Sequence, residues 1–398
     1  MCLNSPHNQP PAGIRQVPRI PAGALPSHPG YLLISSSARA MAQSAVRAGF
    51  RPLVLDLYAD EDTQAVATGF AKIPPGATGF DADSLLRAAD RLAPRAAGHA
   101  LIYGSGFERN SALLRQLSRS RTLYGNPPEV VRRVNTPRLF FGLLDRLQIP
   151  YPEVSYRLPD KHSDDFLIKP AGGTGGRGVD RVSPRAMPYP HYFQRRLDGP
   201  AYSALFLADR KTPCLIGFNT LWTYGEVMHH PFLFAGAINH TPLTDDRKAT
   251  LRGYLQRLVP ALHLRGLNSL DFMLDGDQIR VLEINPRPSA TQILYEADFP
   301  DGLLAWHVAA CRGLLPDTEA SPALTRAFRV LFSPRPFRVP ERLSWPAWCA
   351  DRPASGSVIE RGQPICTLFA EAEGVKDALA SIKMRQIELL RQFNLADA

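Results

Sequence analysis

Apolar and polar positions change period repeatedly along the chain. Tyr31-Leu32-Leu33-Ile34 is an unbroken apolar run, Ala38 to Ala48 has helical spacing and stops at Gly49, and Leu53-Val54-Leu55 ends at Asp56. Short apolar runs separated by a helical period predict a βαβ unit. A helix at Asp83 to Leu92, a strand at Ala100 to Tyr103 and a helix at Glu108 to Leu117 continue the alternation. They predict a small parallel-sheet domain reaching about Asn126. After Pro127-Pro128 a helical stretch, Glu129 to Leu147, is interrupted at Pro137, and Pro150 and Pro152 force an extended exit. Strands are expected at Phe166 to Pro170, Val179 to Val182, Ala201 to Leu207, Cys214 to Asn219 and Phe232 to Ala235. The segment His191 to Gly199 reads as a strand leading into a hinge. A helix over Asp246 to Leu262 carries Leu251, Leu255, Leu258, Val259 and Leu262 close to a 3.6-residue period. Beyond it, Ala297 to Leu314 is expected to be helical. Short β-like runs (Phe328 to Phe332, Ser357 to Ile359, Cys366 to Phe369) then precede a closing amphipathic helix from Gly374 to about Phe393. Residues 1 to 29 are Pro-rich and without period, and are expected to be a disordered leader.

Two strands carry the candidate chemistry. Leu270 to Leu274 and Val281 to Asn285 flank Asp275-Gly276-Asp277, a hairpin signal that returns Asp271 beside Glu283. Glu283 and Asn285 share one face because side chains alternate along a strand. Two carboxylates and an amide oxygen suit a hard divalent cation such as Mg²⁺, which completes its shell with phosphate oxygens. The plain alternative is a polar surface hairpin.

The loop Ala171-Gly172-Gly173-Thr174-Gly175-Gly176-Arg177-Gly178 contains G-x-G-x-x-G, the fingerprint of dinucleotide-binding folds. That fingerprint must open a helix, whereas Val-Asp-Arg-Val-Ser-Pro after Gly178 is too short and ends in proline. A Gly-Lys-Ser/Thr ending, as in a Walker A loop, is missing as well. Strand, glycine loop and strand instead describe a flap whose backbone N–H groups can fold over phosphates, with Lys169 supplying a point charge. The competing reading is a passive glycine hairpin. Gly104 to Glu108 follows a strand end, where ligands sit in open α/β sheets, but a simple glycine turn explains it equally. Adjacent His229 and His230 point opposite ways on a strand and are not expected to share a metal.

The length exceeds one ordinary core, so two or three domains are expected. The formal charge of +9 is spread without a Lys/Arg block, and no nucleic-acid-binding motif accompanies it. Nucleic acid is therefore not an expected partner, and a diffuse cationic excess suits anionic substrates. The cysteines are five, scattered, and without C-x-x-C spacing, which implies neither a disulfide framework nor a structural zinc. The chain shows no signal-peptide core and no apolar run of bilayer length, so cytoplasm is expected and a membrane is not.

The order of these features resembles the ATP-grasp superfamily. Ile168-Lys169-Pro170 through Gly178, a Gln-containing hinge at Gln194, and Asp271 to Arg287 with its Glu-x-Asn-x-Arg ending look like biotin carboxylase and its carboxylate-amine ligase relatives. The resemblance implies an α/β chain: a Rossmann-like parallel α/β domain over 30–128, an ATP-grasp fold of two α+β subdomains over 129–314, and a β-rich C-terminal domain over 315–398. It implies ATP with Mg²⁺, Mn²⁺ being an alternative, bound by Lys169, Gly172, Gly173, Thr174, Gly175, Gly176 and Gly178, with Gln194, Arg195 and Leu197 toward the adenine. Asp271, Glu283 and Asn285 would hold metal, and Arg287 with Lys169 would serve catalysis. Small-molecule carboxylate and amine substrates follow, and a homodimer is admitted. The hinge departs from the family, since Arg195 follows Gln194 where relatives often carry an acid; Asp198 is a candidate substitute. Asn285-Pro286-Arg287-Pro288-Ser289-Ala290-Thr291 is similar to proteins of pterin and furan one-carbon cofactor synthesis. The alternatives are a bicarbonate-using carboxylase and a nucleotide-binding protein without turnover.

Overall fold

The computed structural model describes residues 18–159, 165–182, 190–225, 231–317 and 322–395; His229 and His230 lie outside them. The first sheet holds β1 (Tyr31–Ile34), β2 (Pro52–Asp56), β3 (Gly69–Lys72), β4 (Ala100–Tyr103) and β5 (Thr122–Tyr124), in the order β3-β2-β1-β4-β5. All its pairs are parallel. β1, β2 and β4 are buried throughout, which explains their unbroken apolar runs. Helices α1 (Arg39–Arg47), α2 (Ala82–Leu92) and α3 (Ser111–Ser118) supply crossovers. The strand order reverses at β1, so the loops after β1 and β4 part there, and Ser36 N–H donates to Ser105 O at 2.9 Å across the opening.

One boundary shift matters for the site. The helix expected from Glu108 begins instead at Ser111, where Asn110 caps it by accepting from Leu113 N–H at 3.1 Å. An asparagine side chain at that position satisfies an orphan N–H that Glu108 does not reach. Glu108 is thereby left in the loop after β4.

The proline-interrupted stretch forms two helices, α4 (Pro128–Val134) and α5 (Pro137–Arg146), each opening on proline where the missing N–H costs nothing. A second sheet follows, with β6 (Val154–Ser155), β7 (Phe166–Pro170), β8 (Asp180–Arg181) and β9 (His191–Arg195) in the antiparallel order β8-β7-β9-β6. β7 and β8 are neighbours across the glycine loop, so that loop is the tip of a hairpin and opens no helix.

The third sheet contains β10 (Ala201–Asp209), β11 (Pro213–Thr223), β12 (Phe234–Ile238), β13 (Arg265–Asp275), β14 (Gln278–Asn285), β15 (Thr325–Phe332), β16 (Cys349–Ala350) and β17 (Pro364–Ala372). Their order is β14-β13-β10-β11-β12-β15-β17-β16. The C-terminal strands thus continue the sheet that carries the Asp271–Glu283 hairpin. Alternation along β10 divides its neighbours. Phe206 joins Phe272 and Val281 in a core with α5 and α6 (Asp245–Leu262), while Leu205 and Leu207 join Leu267, Leu303 and Trp306 under α7 (Leu303–Cys311). Burying each such side chain is worth about 1.5–3 kcal/mol, so both faces anchor the strands that carry the site. Helix α8 (Val375–Gln392) closes the chain over β15 and β17.

Two expectations are corrected. The helix expected over Ala297 to Leu314 is confined to α7, because Gly302 takes φ +81° immediately before it and the preceding residues form short 3₁₀ turns. The expected leader is ordered from residue 18 onward. Asp301 accepts from Arg19 Nη1 and from Ile20 N–H at 3.0 Å each, Ile20 and Leu25 pack on the α7 core, and Tyr31 Oη donates to Pro26 O. Two apolar side chains and one carboxylate suffice to hold an otherwise period-free segment.

Candidate active site

The β13–β14 hairpin turns at Gly276, whose φ of +59° suits glycine, and sets Asp271 opposite Glu283 and Ser269 opposite Asn285. Asn285 Nδ2 donates to Asp271 Oδ2 and to Glu283 Oε1, both at 3.3 Å. An amide hydrogen-bonds to both carboxylates of the pair. Burial, then the Glu283 charge, hold the Asp271 carboxyl well above its ordinary range. Two partly buried acids this close call for positive charge. The same line continues inward, since Ser203 pairs with both Asp271 and Asn219, and Asn219 Nδ2 donates to Ser203 Oγ at 3.1 Å. Tyr295 Oη donates to Asn219 Oδ1 at 2.8 Å and closes this row.

Lys169 arrives from the second sheet. It pairs with Tyr192 across β7 and β9, and its Nζ donates to Gln194 Oε1 at 3.0 Å. Burial pushes the ammonium pKa down, but its interactions with the Tyr192 phenol and with the Glu283 and Asp271 carboxyls outweigh it and leave the value raised. Lys169 therefore stays protonated and faces the carboxylate pair. Gln194 is almost wholly buried, and its Nε2 has no hydrogen-bond partner among the described residues. A buried amide donor left alone costs roughly 1–3 kcal/mol, which an acceptor on a bound ligand would recover.

The flap packs between the loop after β4 and the start of β12, with Gly172 against the Glu108 carbonyl and Gly176 against that of Phe232. Gly172, Gly175, Gly176 and Gly178 have positive φ, whereas Gly173 does not. Gly175 O accepts from Phe234 N–H at 2.9 Å, and a Cβ on Gly176 would collide with the Phe232 carbonyl. Thr174 O accepts from Arg177 N–H in the turn. These contacts seat the flap on the start of β12 and require glycine at its tip.

The remaining expected residues divide. Strand alternation puts Arg195 on the face of Phe193, away from Lys169 and Gln194, and its side chain is exposed. Leu197 is half-buried beyond the strand end. Asp198 is almost fully exposed beside Arg196. Arg287 reaches the site but is already engaged. Its Nε donates to Glu108 Oε1 at 2.6 Å, its Nη2 to Asn285 Oδ1 at 3.0 Å, and its Nη1 to Pro288 O at 3.4 Å. Sequence reasoning missed Glu108, which an expected helix start concealed; the Gly-x-Gly turn at a strand end was its only signal. It missed Tyr192, Ser203 and Asn219 too, because their register to the acids depends on strand order.

Residues 138–291 match the family described as the ATP-grasp domain. The chain therefore carries an ATP-grasp domain over these residues. An uncharacterised protein of Methanocaldococcus jannaschii is 22% identical over 375 residues, 88% of this chain and 90% of that one. Among solved structures, N5-carboxyaminoimidazole ribonucleotide synthetase of Thermus thermophilus superimposes with a TM-score of 0.64 at 14% identity, covering 91% of this chain and 98% of that one. The biotin carboxylase domain of Hydrogenobacter thermophilus 2-oxoglutarate carboxylase, solved with MgADP, ADP and bicarbonate, gives 0.67 at 13% identity, covering 91% and 89%. The donor types in this domain, two carboxylates beside a buried ammonium, suit a magnesium nucleotide. Among the described residues no three His, Cys, Asp or Glu side chains are placed to hold a metal unaided. Two carboxylates and one amide leave ligand positions for phosphate and water, as Mg²⁺ requires.

Proposed function

We propose that the protein is an ATP- and Mg²⁺-dependent ligase that activates a carboxylate as an acyl phosphate and passes the acyl group to an amine. The observation that carries this reading is the Asp271–Glu283 pair with the buried Lys169 ammonium close enough to feel both charges. Asp271 and Glu283 would hold Mg²⁺, which would neutralise phosphate charge; Asn285 would join them with its amide turned, because here its Nδ2 faces the acids and its Oδ1 accepts from Arg287. Lys169 would grip a phosphate oxygen as a point charge. The flap would fold its N–H groups over the phosphates, and the lone Gln194 Nε2–H would donate to the nucleotide. Attack of a carboxylate on the γ-phosphate brings two anions together, so positive charge aimed at them lowers the barrier. Arg287 would meet the incoming carboxylate with the N–H groups that its protein partners leave over.

Bicarbonate as the activated carboxylate is a second reading, favoured by a neighbour solved with that anion. A narrower role in pterin- or furan-type one-carbon cofactor synthesis rests on the Asn285 to Thr291 ending alone. ADP release is to be screened over paired carboxylates and amines, bicarbonate included, with ¹⁸O in the carboxylate. Transfer of ¹⁸O into released phosphate is expected. ADP formation without that transfer would exclude the acyl phosphate, and ATP binding without any ADP would leave a nucleotide-binding protein.

A further inference from the structure

We propose that Glu108 is a positioning residue for Arg287, through which the parallel sheet sets the geometry of the reacting end of β14. The inference rests on the ligase reading for its kinetic arm and on geometry alone for its structural arm. The carboxylate of Glu108 has both oxygens committed. Oε1 accepts from Arg287 Nε at 2.6 Å and Oε2 accepts from Gly106 N–H at 2.7 Å. Side-chain exposure is 7% for Glu108 and 11% for Arg287, so water competes little for either. A carboxylate with both oxygens satisfied inside the protein is not waiting for a ligand. It serves as a fixed acceptor.

The fixing starts in the backbone. Gly106 takes φ +115°, and a Cβ there would strike the Phe80 ring, so only glycine turns the chain to aim its N–H at Glu108. Two other residues, Tyr103 at the end of β4 and Asn126 after β5, hold the neighbouring backbone. Tyr103 Oη donates to Pro286 O at 3.1 Å, and Asn126 Nδ2 donates to the same oxygen at 2.9 Å. The parallel sheet thus grips the residue before Arg287 by its carbonyl and Arg287 itself by its Nε.

A guanidinium has five N–H groups. Glu108, Asn285 and Pro288 take three, which leaves one on each terminal nitrogen. Without Glu108 the Nε–H would compete for the same acceptors, and the long side chain would be tied at its far end only. Bidentate recognition of a carboxylate depends on a guanidinium plane held in one orientation. An ion pair that merely joined two lobes would affect melting and leave these properties alone.

The test uses the full chain, with Glu108→Ala and Glu108→Gln, the latter keeping an amide oxygen for the Nε–H. With [¹⁵N]arginine labelling, the Arg287 Nε–H resonance is identified by its loss in Arg287→Lys. It is expected to exchange slowly in the wild type, at least tenfold faster in Glu108→Ala, and within about threefold of wild type in Glu108→Gln. Where alanine does not fold, Glu108→Asp withdraws the carboxylate by one methylene and is expected to speed exchange at least threefold. In ADP formation with the carboxylate found by the screen, turnover of Glu108→Ala falls about 10- to 100-fold. KM for MgATP stays within twofold, and Glu108→Gln recovers most of the loss. Fast exchange already in the wild type, or unchanged exchange in the folded variant, overturns the inference. So does faster exchange with unaltered turnover, which would mark a structural ion pair. If the wild type forms no ADP with any carboxylate, the ligase reading fails and the Nε–H exchange still decides whether Glu108 holds Arg287.

Discussion

Asp271 and Glu283 stand opposite one another on neighbouring antiparallel strands, and the amide of Asn285 donates to both at 3.3 Å. Burial and then the Glu283 charge raise the cost of ionising Asp271, and a divalent cation between the two would reverse that. Glu283→Gln should therefore bind MgADP at least tenfold more weakly while binding metal-free ADP within a fewfold of wild type. Calorimetric titration of the nucleotide with and without Mg²⁺ reads the difference. Equal loss in both titrations would move the metal elsewhere.

Lys169 and the flap should act on the nucleotide together. Lys169→Ala removes a protonated ammonium and is expected to weaken ATP binding about tenfold. Gly176→Val needs a left-handed backbone and meets the Phe232 carbonyl, so the flap should not seat. Trypsin cutting after the exposed Arg177 is expected to slow when ATP and Mg²⁺ are added to the wild type and to stay fast in Gly176→Val.

Arg287→Lys preserves charge and loses planarity. A lysine ammonium cannot give one hydrogen bond to Glu108, one to Asn285 and a fork to a carboxylate. Turnover should drop by about two orders of magnitude, roughly 2.7 kcal/mol in the barrier, with ATP affinity within a fewfold of wild type. Single-turnover ADP formation measures the first and equilibrium titration the second.

A pH dependence follows from a cluster outside the site. Burial first, then the charges of Asp351, Asp56 and Asp62, push the Asp60 carboxyl up to about 8, against the opposing pull of Arg39. A folded-state value above the ordinary one means that the folded chain keeps a proton the unfolded chain has released. Stability contributed by this group is therefore lost as pH rises from about 4 to 8. Asp60→Asn should raise Tm by about 2–5 °C at pH 8.5 and change it little at pH 4. A scanning calorimeter at the two pH values checks the sign.

Much of the architecture was legible because it depends on short-range patterns. Apolar runs at Tyr31 to Ile34 and Ala100 to Tyr103 and the period of Asp246 to Leu262 are local facts, and the structure places β1, β4 and α6 there. The hairpin Asp275-Gly276-Asp277 fixes its own register as far as Phe272 opposite Val281, but a bulge between Asp271 and Phe272, which no local pattern announces, is what brings Asp271 opposite Glu283 rather than Leu282. What else could not be read depends on partners far along the chain. Arg287 looked like an unclaimed cation, and only the approach of a loop 179 residues earlier in sequence supplies its carboxylate. Arg195 stood in a motif position, yet one step of strand alternation turned it away from Lys169. The ordered stretch after residue 18 has no period because it is held by Asp301 and the α7 core rather than by its own repeat.

The unbroken eight-stranded sheet bears on how the chain can be made. β12, an inner strand paired on one side with β11, waits for its other neighbour until Thr325–Phe332 has been synthesised. Until then Phe234, Ala235, Ala237 and Ile238 present an open, apolar, hydrogen-bonding edge. Such an edge invites pairing with other chains. A fragment ending near residue 315 should therefore precipitate rather than yield a smaller working protein. The last eighty residues supply the native occupant of that edge, which keeps the sheet from pairing with its own copies during synthesis.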